Sequence, residues 1–146
     1  MTLHLEDFCA GQTFTSAAVP LDAAAIKAFA TAYDPQPFHL DEEAAQASFF
    51  GGLAASGWHT AALTMRLIVE SVPIRGGVIG ASVEVSWPRP TRPDDTLHAE
   101  SEVLEVSPSR SKPDRGIVTM RTTTRNQHGE TVQVLTSKLV AFRRPA

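Results

Sequence analysis

The chain has 146 residues, with 13 Lys and Arg against 16 Asp and Glu, a formal charge of −3 that argues against nucleic acid or an anionic membrane as its main partner. That length suits one domain with a real core and is short for two, so residues 1–146 are read as a single domain. The one cysteine, Cys9, allows no intrachain disulfide, no run nears the ~20 apolar residues of a membrane span, and the N-terminal MTLHLEDFC is no signal peptide, so a soluble, cytoplasmic protein is expected.

In chain order, Glu6-Asp7-Phe8 and Gly11 suggest a turn, and Gln12 to Thr15 a short strand. Asp22 predicts the N-cap of a helix through Tyr33, with Ile26, Phe29, Ala30 and Tyr33 on one buried face. Pro35 and Pro37 push Asp34 and Gln36 out of the α region, which predicts a stiff extended or turned loop from Asp34 to His39. Asp41 caps a second helix to about Phe49, with Glu42 and Glu43 in its first turn, and Gly51-Gly52 ends it. Ser56 or Gly57 opens a third helix to about Val72. It is apolar nearly all round, which predicts burial, wrapped by a sheet.

Beyond Gly76-Gly77 the period changes to two. Val78 to Trp87 reads as a half-buried strand with Ile79, Ala81, Val83, Val85 and Trp87 on its apolar face. Thr96 to Ser107 is a second strand whose faces switch near Val103-Leu104, the mark of a bulge. Pro108 to Gly116 reads as a basic loop. Ile117 to Arg125 and Thr131 to Phe142 form a hairpin closed at Asn126 to Gly129. Helices first and long antiparallel strands after define an α+β class.

Asp34 and His39 stand five positions apart between prolines, and Ser56-Gly57 stands at a helix N-terminus. A carboxylate, an imidazole and a free helix N–H are what is needed to hold a water beside a polarised carbonyl. Each has a bland reading too. Asp34 followed by Pro35 fits a type I turn, though the helix dipole disfavours a carboxylate there. His39 alone fits a satisfied loop histidine. Gly57 could serve only close packing, and Ser56 only capping. Arg110, Lys112 and Arg115 are either a solvated turn or a contact for phosphates. The histidines and Cys9 show no metal-ligand spacing, so no metal is expected.

The long helix followed by an antiparallel meander resembles the hot-dog fold. Asp34-x4-His39-x-Asp41, the Phe49-Phe50-Gly51-Gly52 break, Ser56-Gly57, and the TRPDDTL and SRSKPDRG stretches resemble the MaoC-like hydratases and dehydratases, including the (R)-specific enoyl-CoA hydratases. That resemblance implies an antiparallel sheet wrapped around a long buried helix. It implies an enoyl-CoA hydratase or 3-hydroxyacyl-CoA dehydratase that needs no cofactor. Asp34 and His39 would hold the water that adds across the double bond, and the Gly57 N–H would bind the thioester oxygen. Gln36, Ser56, Trp58, Arg110, Lys112 and Arg115 are the expected substrate contacts, the last three toward coenzyme A. A homodimer or dimer of dimers is implied, with the site near the interface. The chain departs from the family in Gln36-Pro37-Phe38-His39, often Asn-Pro-Leu-His, and in Ser56, often His; His59 is a candidate to replace that imidazole in part. The competing readings are a hot-dog thioesterase and a non-catalytic acyl-thioester-binding subunit.

Overall fold

In the computed structural model, which describes residues 1–146, the helices precede the long strands. Helix α1, Ala23–Tyr33, begins where the Asp22 side chain accepts the Ala25 N–H at 2.8 Å. Ile26 and Ala30 are its buried face, whereas Tyr33, expected inside, is 77% exposed because nothing covers the last turn. The stretch expected as an extended loop contains a one-turn helix instead, α2, Pro37–Leu40. Gln36 is extended, as a residue before proline must be, but Pro37 occupies the first helical position, where its fixed φ and missing N–H cost nothing. Helix α3, Glu42–Gln46, is capped by Asp41 and ends before Phe49 in turns that lead to Gly51 at φ 63. Helix α4, Gly57–Ser71, is capped by Ser56, whose Oγ accepts the Trp58 N–H, and stops before Pro73.

The strands are β1 (Thr13–Thr15), β2 (Val19–Leu21), β3 (Ile79–Ser86), β4 (Asp95–Pro108), β5 (Arg115–Arg125) and β6 (Thr131–Phe142). They form an antiparallel sheet in the order β1-β4-β5-β6-β3, with β2 also paired to β4. The β4–β5 register slips between Val103 and Glu105, at the bulge the sequence predicts. β2 was not foreseen: Val-Pro-Leu has no alternation, and its proline is tolerated only because the strand lies at an edge. Arg115 and Gly116, expected in the basic loop, already belong to β5.

The sheet carries α4 against one face through Thr60, Thr64, Leu67 and Ile68. The expectation that α4 is buried all round is corrected: Trp58, Met65 and Val69 are 60%, 41% and 54% exposed, since in one chain the sheet covers only one side. β3 is corrected likewise, because Val85 alone among its residues is not exposed. Two apolar clusters fill the interior. The larger joins Leu5, Phe8, Ile68, Val72, Ile74, Val103, Val118, Met120, Leu139 and Ala141, and the smaller joins Leu21, Ile26, Ala45, Leu53 and Ala55.

Candidate active site

The smaller cluster supports the candidate functional residues. Asp34 closes α1, its backbone N–H bonded to the Ala30 carbonyl, and the chain then turns through Pro35 and Gln36 into α2. That single helical turn carries His39 back toward Asp34, with Nε2 3.4 Å from Asp34 Oδ2. His39 is only 4% exposed, and its Nδ1 lies 2.6 Å from the Ala54 carbonyl oxygen. A carbonyl can only accept, so Nδ1 carries a proton and Nε2 is the nitrogen turned to the carboxylate.

Asp34 has further partners. Gln36 Nε2 donates to Oδ1 at 2.5 Å, and the Ser56 hydroxyl lies close by. Burial pushes the Asp34 carboxyl up, yet hydrogen bonding from Ser56 and Gln36 and the charge of His39 together outweigh it and hold the group below the usual carboxylate range. Asp34 is therefore a carboxylate at neutral pH, with an imidazole nitrogen near enough to share one water with it.

Ser56 is fully buried, and its Oγ accepts the Trp58 N–H while its hydroxyl hydrogen is left for Asp34; the Gly57 N–H makes no hydrogen bond within the chain. Glycine is required here by space: a Cβ would stand 2.6 Å from the Trp87 ring. Close packing thus explains the residue type, and the same packing leaves an unspent N–H at the start of a 15-residue helix, where the dipole favours negative charge.

These groups line one cavity of about 730 Å³. Asp34, Gln36, His39, Gly57 and Trp58 are on its wall; Ser56 sits directly behind. Arg110, Lys112 and Arg115 do not line it. They lie past the far end of β4, whose 14 residues span roughly 45 Å. There Arg115 pairs with Asp114 and rests over the Phe142 ring. His59 does not reach the cavity either. It stacks on Phe29 with ring centroids 4.6 Å apart, and burial holds its imidazole below the ordinary histidine range.

Sequence reasoning missed the rest of the wall, built by Trp87 to Arg92 with Phe38, Phe49, Phe50 and Thr60. The Ala55 N–H donates to the Thr91 carbonyl, Thr60 and Thr91 pair through their hydroxyls at 3.0 Å, and Arg92 donates to the carbonyls of Phe50, Gly52 and Leu53. The signal was present. WPRPTRP sets two cations and a tryptophan among prolines, the same cue that drew notice to SRSKPDR.

Sheet and long helix together define a hot-dog fold, and a carboxylate and an imidazole face its cavity. Residues 8–126 match the family model described as the MaoC like domain, and the chain belongs to that family. It is 61% identical to a MaoC-like dehydratase from Rhodospirillum rubrum of known crystal structure, with a TM-score of 0.97 over 99% of each chain. It superimposes on the unliganded (R)-hydratase PhaJ1 of Pseudomonas aeruginosa with a TM-score of 0.80 at 26% identity, over 98% of this chain and 88% of that one. It is also 35% identical to YdeM of Bacillus subtilis over 128 residues, 86% of this chain and 89% of that protein.

Proposed function

We propose that the protein adds water to, or removes it from, the 2,3-double bond of an enoyl or 3-hydroxyacyl thioester, with coenzyme A as the carrier. The observation that carries this reading is the pair Asp34 and His39, 3.4 Å apart in the cavity wall, with the far nitrogen of the imidazole locked to a backbone carbonyl. A water between them gives one proton toward Oδ2 and the other toward Nε2, or accepts from a protonated Nε2, and turns an oxygen lone pair to the β-carbon. Attack forms the O–C bond at the β-carbon and shifts the π electrons to the thioester oxygen as an enolate. The Gly57 N–H stabilises that oxygen. The proton taken from the water returns to the α-carbon, and the C–S bond stays intact. Dehydration is the reverse.

Gln36 orients Asp34, Ser56 holds the start of α4, and Trp58 walls the acyl path. Arg89 stands on the cavity wall while Arg110, Lys112 and Arg115 do not, so within one chain Arg89 is the better-placed contact for carrier phosphates. The basic loop would serve only a cavity contributed by a second copy. A homodimer fits the open edge of β3, where Ile79 and Val83 are 44% and 60% exposed, and the bare Met65 and Val69 of α4. Sedimentation is expected to show at least a dimer, and a fully active monomer would overturn that part. No helix is long and apolar enough to cross a membrane, and the free, exposed Cys9 fits a reducing compartment such as the cytoplasm.

The test is absorbance of the conjugated thioester against a panel of trans-2-enoyl-CoAs of graded length. The absorbance is expected to fall with no free thiol and with formation of a 3-hydroxyacyl-CoA. Rapid thiol release abolished by Asp34→Asn would make the protein a thioesterase instead.

A further inference from the structure

Trp87 follows β3 and lays its ring over Gly57, so close that any β-carbon there would collide with it. The ring also meets Trp58 edge to face, with centroids 5.4 Å apart. What fixes it is a residue outside the cavity. The indole N–H donates at 2.9 Å to Oε1 of Gln133, which sits wholly buried on β6 opposite Thr124. The amide has no freedom in how it turns. An indole is only a donor, so Oε1 must face it, and this strands Nε2, which is buried without a partner. A leucine would fill the same space and remove the orphaned amide nitrogen, but it would leave the indole N–H without its acceptor. The amide is therefore retained for its oxygen, and the only side chain that oxygen holds is Trp87.

We infer that Gln133 is a positioning residue of the active site: it sets the Trp87 indole against Gly57, and so fixes where the first N–H of α4 stands on the cavity wall. The inference rests on the hydratase reading, in which that N–H binds the thioester oxygen. Gln133→Leu exchanges one unmet donor, the amide nitrogen, for another, the part-buried indole N–H, so its melting temperature is expected to stay within about 4 °C of wild type. Its kcat for crotonyl-CoA is expected to fall about tenfold while KM changes less than about twofold, because a displaced oxyanion donor weakens the transition state more than the bound substrate. Trp87→Phe keeps an aromatic side chain, smaller than the indole, and loses the N–H, and is expected to show at least the same kcat loss. The double variant is expected to be no worse than Trp87→Phe alone, since both cut the same link.

A purely structural glutamine would shift the melting temperature and leave kcat alone; that outcome in Gln133→Leu, or additive losses in the double variant, would overturn the role. If Gln133→Leu does not fold, Trp87→Phe decides by itself, and an unchanged kcat there overturns the role. Wild-type protein that hydrates no enoyl thioester would bring down the hydratase reading and this role with it. Full hydration retained in the variants would bring down the role alone.

Discussion

The two halves of α4 rest on different materials. The C-terminal half sets Ile68, and just beyond it Val72, against Val103, Val118, Met120 and Leu139, a dry apolar cluster. The N-terminal half rests on hydroxyls: Thr60 pairs with Thr91 at 3.0 Å and Thr64 with Thr124 at 2.7 Å, both buried. Apolar contact is non-directional and tolerates small shifts. Hydroxyl pairs are directional, and each fixes distance and angle together. The half that carries the free Gly57 N–H is the half pinned by directional bonds. Stability is concentrated at one end of the helix and positioning at the other.

Breaking the site end is expected to give the largest effects on rate. Asp34→Asn and His39→Ala should each lower turnover by about 10²–10⁴-fold, and the double variant should be hardly worse, because the proposed mechanism puts both groups on one water. Asp34→Asn should cost only what the carboxylate's own hydrogen bonds contribute, and His39→Ala should cost more. His39 is buried within α2 and bonded to Ala54, so truncating it also loosens the fold. Additive rate losses in the double variant would show two separate functions.

Breaking the apolar end should do the opposite. Ile68→Ala is expected to cost about 2–5 kcal/mol of stability, since the site cannot collapse around the void, with kcat per folded molecule unchanged. Denaturant melts and active-site titration together measure both. A large kcat loss in Ile68→Ala would mean the halves are not separable. Gly57→Ala sharpens the boundary, because packing and chemistry meet there. A methyl group 2.6 Å from the Trp87 ring should cost about 1–3 kcal/mol by overpacking and lower kcat as well. Loss of stability with full activity would leave Gly57 a packing residue only.

The sequence was most legible where local rules decide. Asp22, Asp41 and Ser56 each cap the helix they were expected to cap, and the bulge near Leu104 follows from a switch of faces. Asp34 and His39 were legible as a pair, but the helical turn that joins them was not. Pro37 was read only for what it forbids in Gln36, not for the helix it can begin. The wall from Trp87 to Arg92 was invisible for another reason: contacts across long sequence gaps hold it there, Ala55 and Thr60 bonding to Thr91 and Gln133 to Trp87. Burial of α4 and β3 was overestimated because hydropathy reports that a face is covered, not that the same chain covers it.

The smallest effect expected is one of pH, and its sign discriminates. Around Asp34, burial raises the carboxyl pKa, while Ser56, Gln36 and His39 lower it further than burial raises it. The folded pKa is thus below the unfolded one, which is about 3.9. Between the two values the unfolded chain binds more protons, so stability rises with pH across that window. The contribution is complete above the unfolded pKa and is lost as pH falls through the folded one. Asp34→Asn lacks it at every pH. Wild type should therefore exceed Asp34→Asn in stability at pH 7, and the gap should narrow steadily below about pH 4. Urea melts of both proteins from pH 7 downward measure it. A gap that widens on acidification would mean that burial outweighs the hydrogen bonds. The carboxyl would then be held above its usual range, and as a carboxylate it would be a stronger base toward the water it shares with His39.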